Sequence, residues 1–114
     1  MRTEEFWAQT NMNVRTFLSG VPQDHWQQLS YEDLMRSPEA TLKSVTSFLG
    51  LKCEPAMANP YEGDRLVRGI GCVNLPKRQK VEPELADVWK SIRVERALLP
   101  ETVALAAELG YECP

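Results

Sequence analysis

The sequence predicts a mainly α protein of about four helices and one strand, a single domain over residues 1–114. Three observations carry that prediction. Apolar residues recur at three- and four-residue spacing in separate stretches, proline stands where helices open, and glycine stands where two of them close. Only His25 to Tyr31 alternates with a period of two, Leu29 and Tyr31 on one side and Trp26, Gln28 and Ser30 on the other, which predicts a strand over 25–31.

The first helix is expected over 3–19. Thr3 suits its N-cap, Glu4 and Glu5 lie in the first turn where the helix dipole favours negative charge, and Phe6, Trp7, Val14, Phe17 and Leu18 make its apolar face. Gly20-Val21-Pro22 ends it, because a residue before proline avoids the helical region. After the strand, Ser37-Pro38 reads as N-cap and N1 of a helix over 38–49. Leu42, Val45 and Leu49, flanked by Thr41 and Phe48, form its stripe. Gly50 supplies the left-handed position past its end, with Leu51 folding back. Residues 52–80 form a long irregular segment with Pro55, Pro60 and Pro76 and glycines at 63, 69 and 71, a length that is usually functional. Pro83 opens a helix over 83–93 with Leu85, Val88, Trp89 and Ile92 facing inward. Pro100 opens another over 100–109, closed by Gly110, with Val103, Ala106 and Ala107 inward.

Composition narrows the function classes. With 114 residues, 43% of them hydrophobic, the chain is long enough for a modest core. A net charge of −3 and an isoelectric point near 5.2 argue against nucleic acid or a membrane surface as partner. The charge is uneven: from Asp64 to Lys80, Arg65, Arg68, Lys77, Arg78 and Lys80 stand against Asp64 alone, a local +4 that leaves −7 for the remainder. Three cysteines, Cys53, Cys72 and Cys113, show no metal-ligand spacing, so free thiols and no metal are expected. No apolar run spans a bilayer and no leader pattern opens the sequence, which makes a cytoplasmic location the expectation. The adjacent carboxylates Glu32 and Asp33 suit capping or a salt link better than acid–base work. His25, at a turn, reads as a surface residue.

Tyr31-Glu32-Asp33-Leu34, Ser37-Pro38-Glu39 and Phe48-Leu49-Gly50-Leu51, in that order and spacing, resemble the C-terminal half of sulfotransferases that use 3′-phosphoadenosine 5′-phosphosulfate (PAPS). Asn59-Pro60-Tyr61-Glu62-Gly63-Asp64-Arg65 resembles a stretch of a bacterial subgroup, including members attached to multi-enzyme synthases. Glu84 to Arg96 and Leu105 to Tyr111 are similar to that subgroup as well, so the resemblance covers most of the chain. It implies a fragment of a P-loop-like α/β fold.

The resemblance also implies a site. In cytosolic sulfotransferases the loop after the helix carries an Arg-Lys-Gly trio that grips the 3′-phosphate, which points to Arg65, Arg68 and Gly69 as cofactor-binding residues. Glycine-rich backbone and arginine's planar fork suit phosphate. Here Val67-Arg68-Gly69 lacks the lysine, and a solvated basic loop is the other reading of the same residues. Lys77, Arg78 and Lys80 read as solvated charge. Neither the glycine- and serine-rich loop that would hold the 5′-phosphosulfate nor the arginine and serine for the 3′-phosphate can be placed in these residues. No catalytic residue is therefore assigned, and PAPS or adenosine 3′,5′-bisphosphate is expected only if an upstream segment completes the protein. The remaining readings are a non-catalytic module that self-associates or binds a complementary chain over an exposed strand edge, and an unrelated helical protein whose basic loop takes an anion.

Overall fold

A computed structural model describes residues 3–62 and 78–113. The regular elements among the described residues are all helices, with no strand among them. The backbone divides into two compact units, one of Met1–Trp26 with Arg93–Pro114 and one of Gln27–Ile92.

In the first unit, α1 (Thr3–Leu18) packs on α4 (Pro100–Glu108). Thr3, expected as a cap, is already helical, and Glu4 and Glu5 occupy the first turn. Ala8 of α1 and Ala106 of α4, both small, are buried, and Leu105 of α4 is buried with them. Glu4 lies near the start of α4 and Arg15 pairs with Glu108 at its end, at 2.9 Å, so the helices run in the same direction. The inward face of α4 is Thr102, Leu105 and Ala106. Val103 and Ala107, expected inside, are exposed. The apolar face expected on α1 likewise splits: Trp7 and Leu18 are half-buried on the side of Ala8, whereas Phe6, Val14 and Phe17 are exposed.

Gly110 (φ 86°) closes α4 as expected, with the Tyr111 amide donating to the Ala106 carbonyl at 2.9 Å and the Gly110 amide to that of Ala107 at 3.1 Å.

The second unit contains α2 (Tyr31–Arg36), α3 (Pro38–Phe48) and 3₁₀ helices at Pro55–Ala58 and Pro83–Ser91. The strand expected over 25–31 is absent. His25 ends a short 3₁₀ turn, Gln23–His25; Trp26 and Ser30 are extended but have no strand beside them among the described residues, and Tyr31 starts a helix. Extended backbone becomes a strand only when a neighbour takes its amides and carbonyls. Here the run is tied instead by a side chain, the Gln27 amide donating to the Ser44 hydroxyl of α3 at 2.7 Å.

Helix α2 has a good cap and no visible stripe. Ser30 (φ −95°, ψ 149°) accepts from the Asp33 amide through its hydroxyl, at 3.0 Å. Glu32 and Asp33 sit at the positive end and Arg36 at the negative end, which suits the dipole. Pro38 opens α3 as expected, but the Ser37 hydroxyl makes no capping bond. Its ψ of 64° departs from the extended value that aims a cap oxygen at the first free amides, and the capping serine is Ser30. The backbone of the stop at Gly50 (φ 69°) matches the sequence, with Leu51 donating to the Thr46 carbonyl at 2.8 Å and Gly50 to that of Ser47 at 3.1 Å, but the Leu51 side chain, expected to fold back, is exposed. Along α3, Leu42 and Val45 are half-buried, Thr46 is buried with its hydroxyl on the Leu42 carbonyl at 2.9 Å, and Leu49 is exposed.

The segment opened by Pro83 is a 3₁₀ helix, not the α-helix expected over 83–93. Three residues per turn shift the inward face. Ala86 is fully buried and Leu85 half-buried, while Val88, Trp89 and Ile92 are exposed. This helix packs on α2.

Candidate functional site

The residues that carry the sequence's chemical expectation, Arg65, Arg68 and Gly69, lie outside the described residues, as do Lys77 and Cys72. What is described is the frame on either side. On the N-terminal side, Pro55–Ala58 packs against α3 and leads to a turn in which the Glu62 amide donates to the Asn59 carbonyl at 3.3 Å. On the C-terminal side, Arg78 is paired with Glu82 four residues on. A carboxylate thus already engages one cation of the basic island.

Elsewhere the charged side chains form clasps. In the first unit the Glu4 carboxylate takes the Leu99 amide on one oxygen and the Arg96 guanidinium on the other, each at 2.6 Å, and its side chain is 8% exposed. The Leu99 amide above all, with Arg96, holds this carboxyl below its ordinary value of 4.5, against the opposing effect of burial. In the second unit Asp87 accepts from Lys90 at 2.7 Å and from Arg36 of α2 at 2.8 Å. Those two hydrogen bonds hold Asp87 below its ordinary 3.8. Neither carboxylate is poised as a base: both are stabilised as anions. Sequence reading missed these two clasps, because nothing in the spacing of Glu4 and Arg96 or of Arg36 and Asp87 brings such distant residues together.

The other candidates separate. The Asp33 backbone amide donates to the Ser30 hydroxyl, so the capping group here is the serine and not the Asp33 carboxylate. One oxygen of Glu32 is shielded from solvent and has no hydrogen-bond partner among the described residues, a costly state for a carboxylate. His25 is exposed, 3.9 Å from Asp24. Cys53 and Cys113 are free thiols. Among the described residues no group of three His, Cys, Asp or Glu could hold a metal ion, and no helix is long and apolar enough to cross a membrane.

Comparison with known proteins places this frame. Neither a protein-family model nor a curated protein matches the chain. Two solved structures do. The sulfotransferase domain from the curacin biosynthetic pathway is 35% identical with a TM-score of 0.87, over 97% of this chain and 42% of that one. The sulfotransferase domain from the Synechococcus PCC 7002 olefin synthase is 37% identical with a TM-score of 0.89, over 97% of this chain and 40% of that one. Over nearly its whole length, then, the chain is similar in sequence and fold to bacterial sulfotransferase domains, and it spans about two-fifths of the length of each.

Proposed function

We propose that these residues are the C-terminal portion of a PAPS-dependent sulfotransferase of P-loop-like α/β architecture. In this reading they supply helices that cover the sheet and the basic loop that faces the donor's 3′-phosphate, with Arg65, Arg68 and Gly69 as its contacts. The reaction is sulfuryl transfer, in which an acceptor oxygen bonds to the donor sulfur as adenosine 3′,5′-bisphosphate leaves and the acceptor proton passes to a base. Catalysis of that step rests on donors fixed around the moving charge. The 114 residues hold no glycine- and serine-rich strand–loop–helix for the phosphosulfate, so by themselves they bind the cofactor weakly and do not turn over. The reaction belongs to the completed domain, in a reducing, cytoplasmic setting that suits the free thiols.

The observation that carries this reading is identity of 35–37% along 97% of the chain to domains of which it spans only 40–42%. Complementation tests it. The chain is co-expressed with the part of the Synechococcus olefin synthase domain that lies outside the match, and transfer from PAPS is assayed with each part alone and together. Transfer only by the pair is expected. Transfer by this chain alone removes the claim of inactivity, and none by a co-purified pair removes the sulfotransferase reading.

A second reading, a self-associating module without chemistry, is favoured by one feature: no large side chain is fully buried among the described residues, while Phe6, Phe17, Leu51 and Ile92 are exposed. Sedimentation velocity across a concentration series that finds only monomer counts against it.

A further inference from the structure

Helix α1 has a second face that its own unit leaves open. Thr3, Phe6, Thr10, Asn13, Val14 and Phe17 follow the three/four spacing of one stripe, and all six are exposed. None carries a charge. Phe6 is 63% exposed, Val14 49% and Phe17 72%, and the Asn13 side-chain oxygen is occupied by the Gln9 amide at 2.9 Å. The adjoining side, with Glu4, Trp7, Ala8, Asn11, Arg15 and Leu18, holds the buried and half-buried residues of the helix and the ion pairs to Arg96 and Glu108. A helix face meant for water carries charge. One with an aromatic residue at each end and no charge between has the composition of a buried contact.

We infer that the Phe6–Val14–Phe17 stripe is a docking face, and that its occupant is the remainder of the sulfotransferase domain, whether on the same polypeptide or another. This rests on the sulfotransferase reading. Its support is that the matched part is 42% and 40% of the two similar domains, so 58% and 60% of them lie outside the match. That remainder is large enough to cover a stripe which, from residue 6 to residue 17, extends about 16 Å at 1.5 Å per residue. An uncharged aromatic ridge calls for an apolar partner surface.

The test uses the full chain, tagged and co-expressed with the unmatched part of the Synechococcus olefin synthase domain. Wild type and Thr16→Glu, on the same helix outside the stripe, are expected to co-purify with it equally. Phe6→Asp and Phe17→Asp are expected to lower recovery at least about tenfold, a loss typical of a central aromatic contact, and Phe17→Leu to restore most of it. Both phenylalanines are already solvent-exposed, so far-UV circular dichroism should be unchanged. The inference is overturned if the Asp variants co-purify like wild type, if wild type does not co-purify at all, or if the chain alone forms a dimer that Phe17→Asp dissociates, which would make the occupant a second copy. Transfer from PAPS is scored separately: a complex disrupted by the Asp variants but inactive sustains the docking face and removes the enzyme reading, and an active complex indifferent to them does the reverse.

Discussion

Replacing Gly50 by alanine isolates the cost of one backbone conformation. Gly50 holds φ at 69°, and a Cβ added there meets nothing within 4 Å, so the penalty is conformational with no clash added. An L-residue in the left-handed region loses about 1 to 2 kcal/mol, partly offset by the smaller freedom of alanine in the unfolded chain, which leaves about 1 kcal/mol. The bonds at stake are those from Leu51 to Thr46 and from Gly50 to Ser47, 2.8 and 3.1 Å. With a urea slope of about 2 kcal/mol per molar, the midpoint should fall by about 0.5 M. Urea unfolding followed by far-UV circular dichroism reads it. Gly50→Asn should lose less, because asparagine tolerates this region. Gly110→Ala, at φ 86° and also in open space, should behave as Gly50→Ala does. An unchanged midpoint with alanine at 50, or a lower one with asparagine there than with alanine, rules out a conformational penalty at this position.

Three further outcomes are expected. Ser30→Ala removes the hydroxyl that caps α2 and should cost about 1 kcal/mol by the same urea assay, whereas Ser37→Ala, whose hydroxyl caps nothing, should cost much less. Glu4 has a folded-state pKa below its ordinary 4.5, so its contribution is fully present above that pH and is lost as pH falls through the lowered value. Thermal melts should therefore show Glu4→Gln less stable than wild type at pH 7, with the gap closing in strong acid; a gap that persists there contradicts the clasp. Asp87, also lowered, keeps some acid sensitivity in the variant. On the proposed function, Arg68→Ala in the completed domain should weaken binding of adenosine 3′,5′-bisphosphate by about tenfold or more in calorimetry, the loss expected for a charge-assisted phosphate contact. Equal affinity would return the loop to solvated charge.

Local chemistry was legible in the sequence because its causes lie within a few residues. Pro38, Pro83 and Pro100 open helices, and Gly50 and Gly110 close them, through φ preferences that the chain carries wherever it goes. The order of the Tyr31–Leu51 motifs likewise pointed to the sulfotransferases, with which the solved structures agree. Residues 25–31 show the limit. Alternation there marks extended backbone, and Trp26 and Ser30 are extended, but a strand needs a partner that its own residues cannot specify. The six-residue α2 was invisible for the opposite reason: its cap is local, yet it is too short to display a period. Which apolar side chains are covered is decided only by packing. Phe17, Leu49 and Ile92 read as core from spacing and stand exposed, while Ala86 is sealed. Hydrophobic periodicity tells a helix which side seeks cover, and only a neighbouring surface in three dimensions provides it.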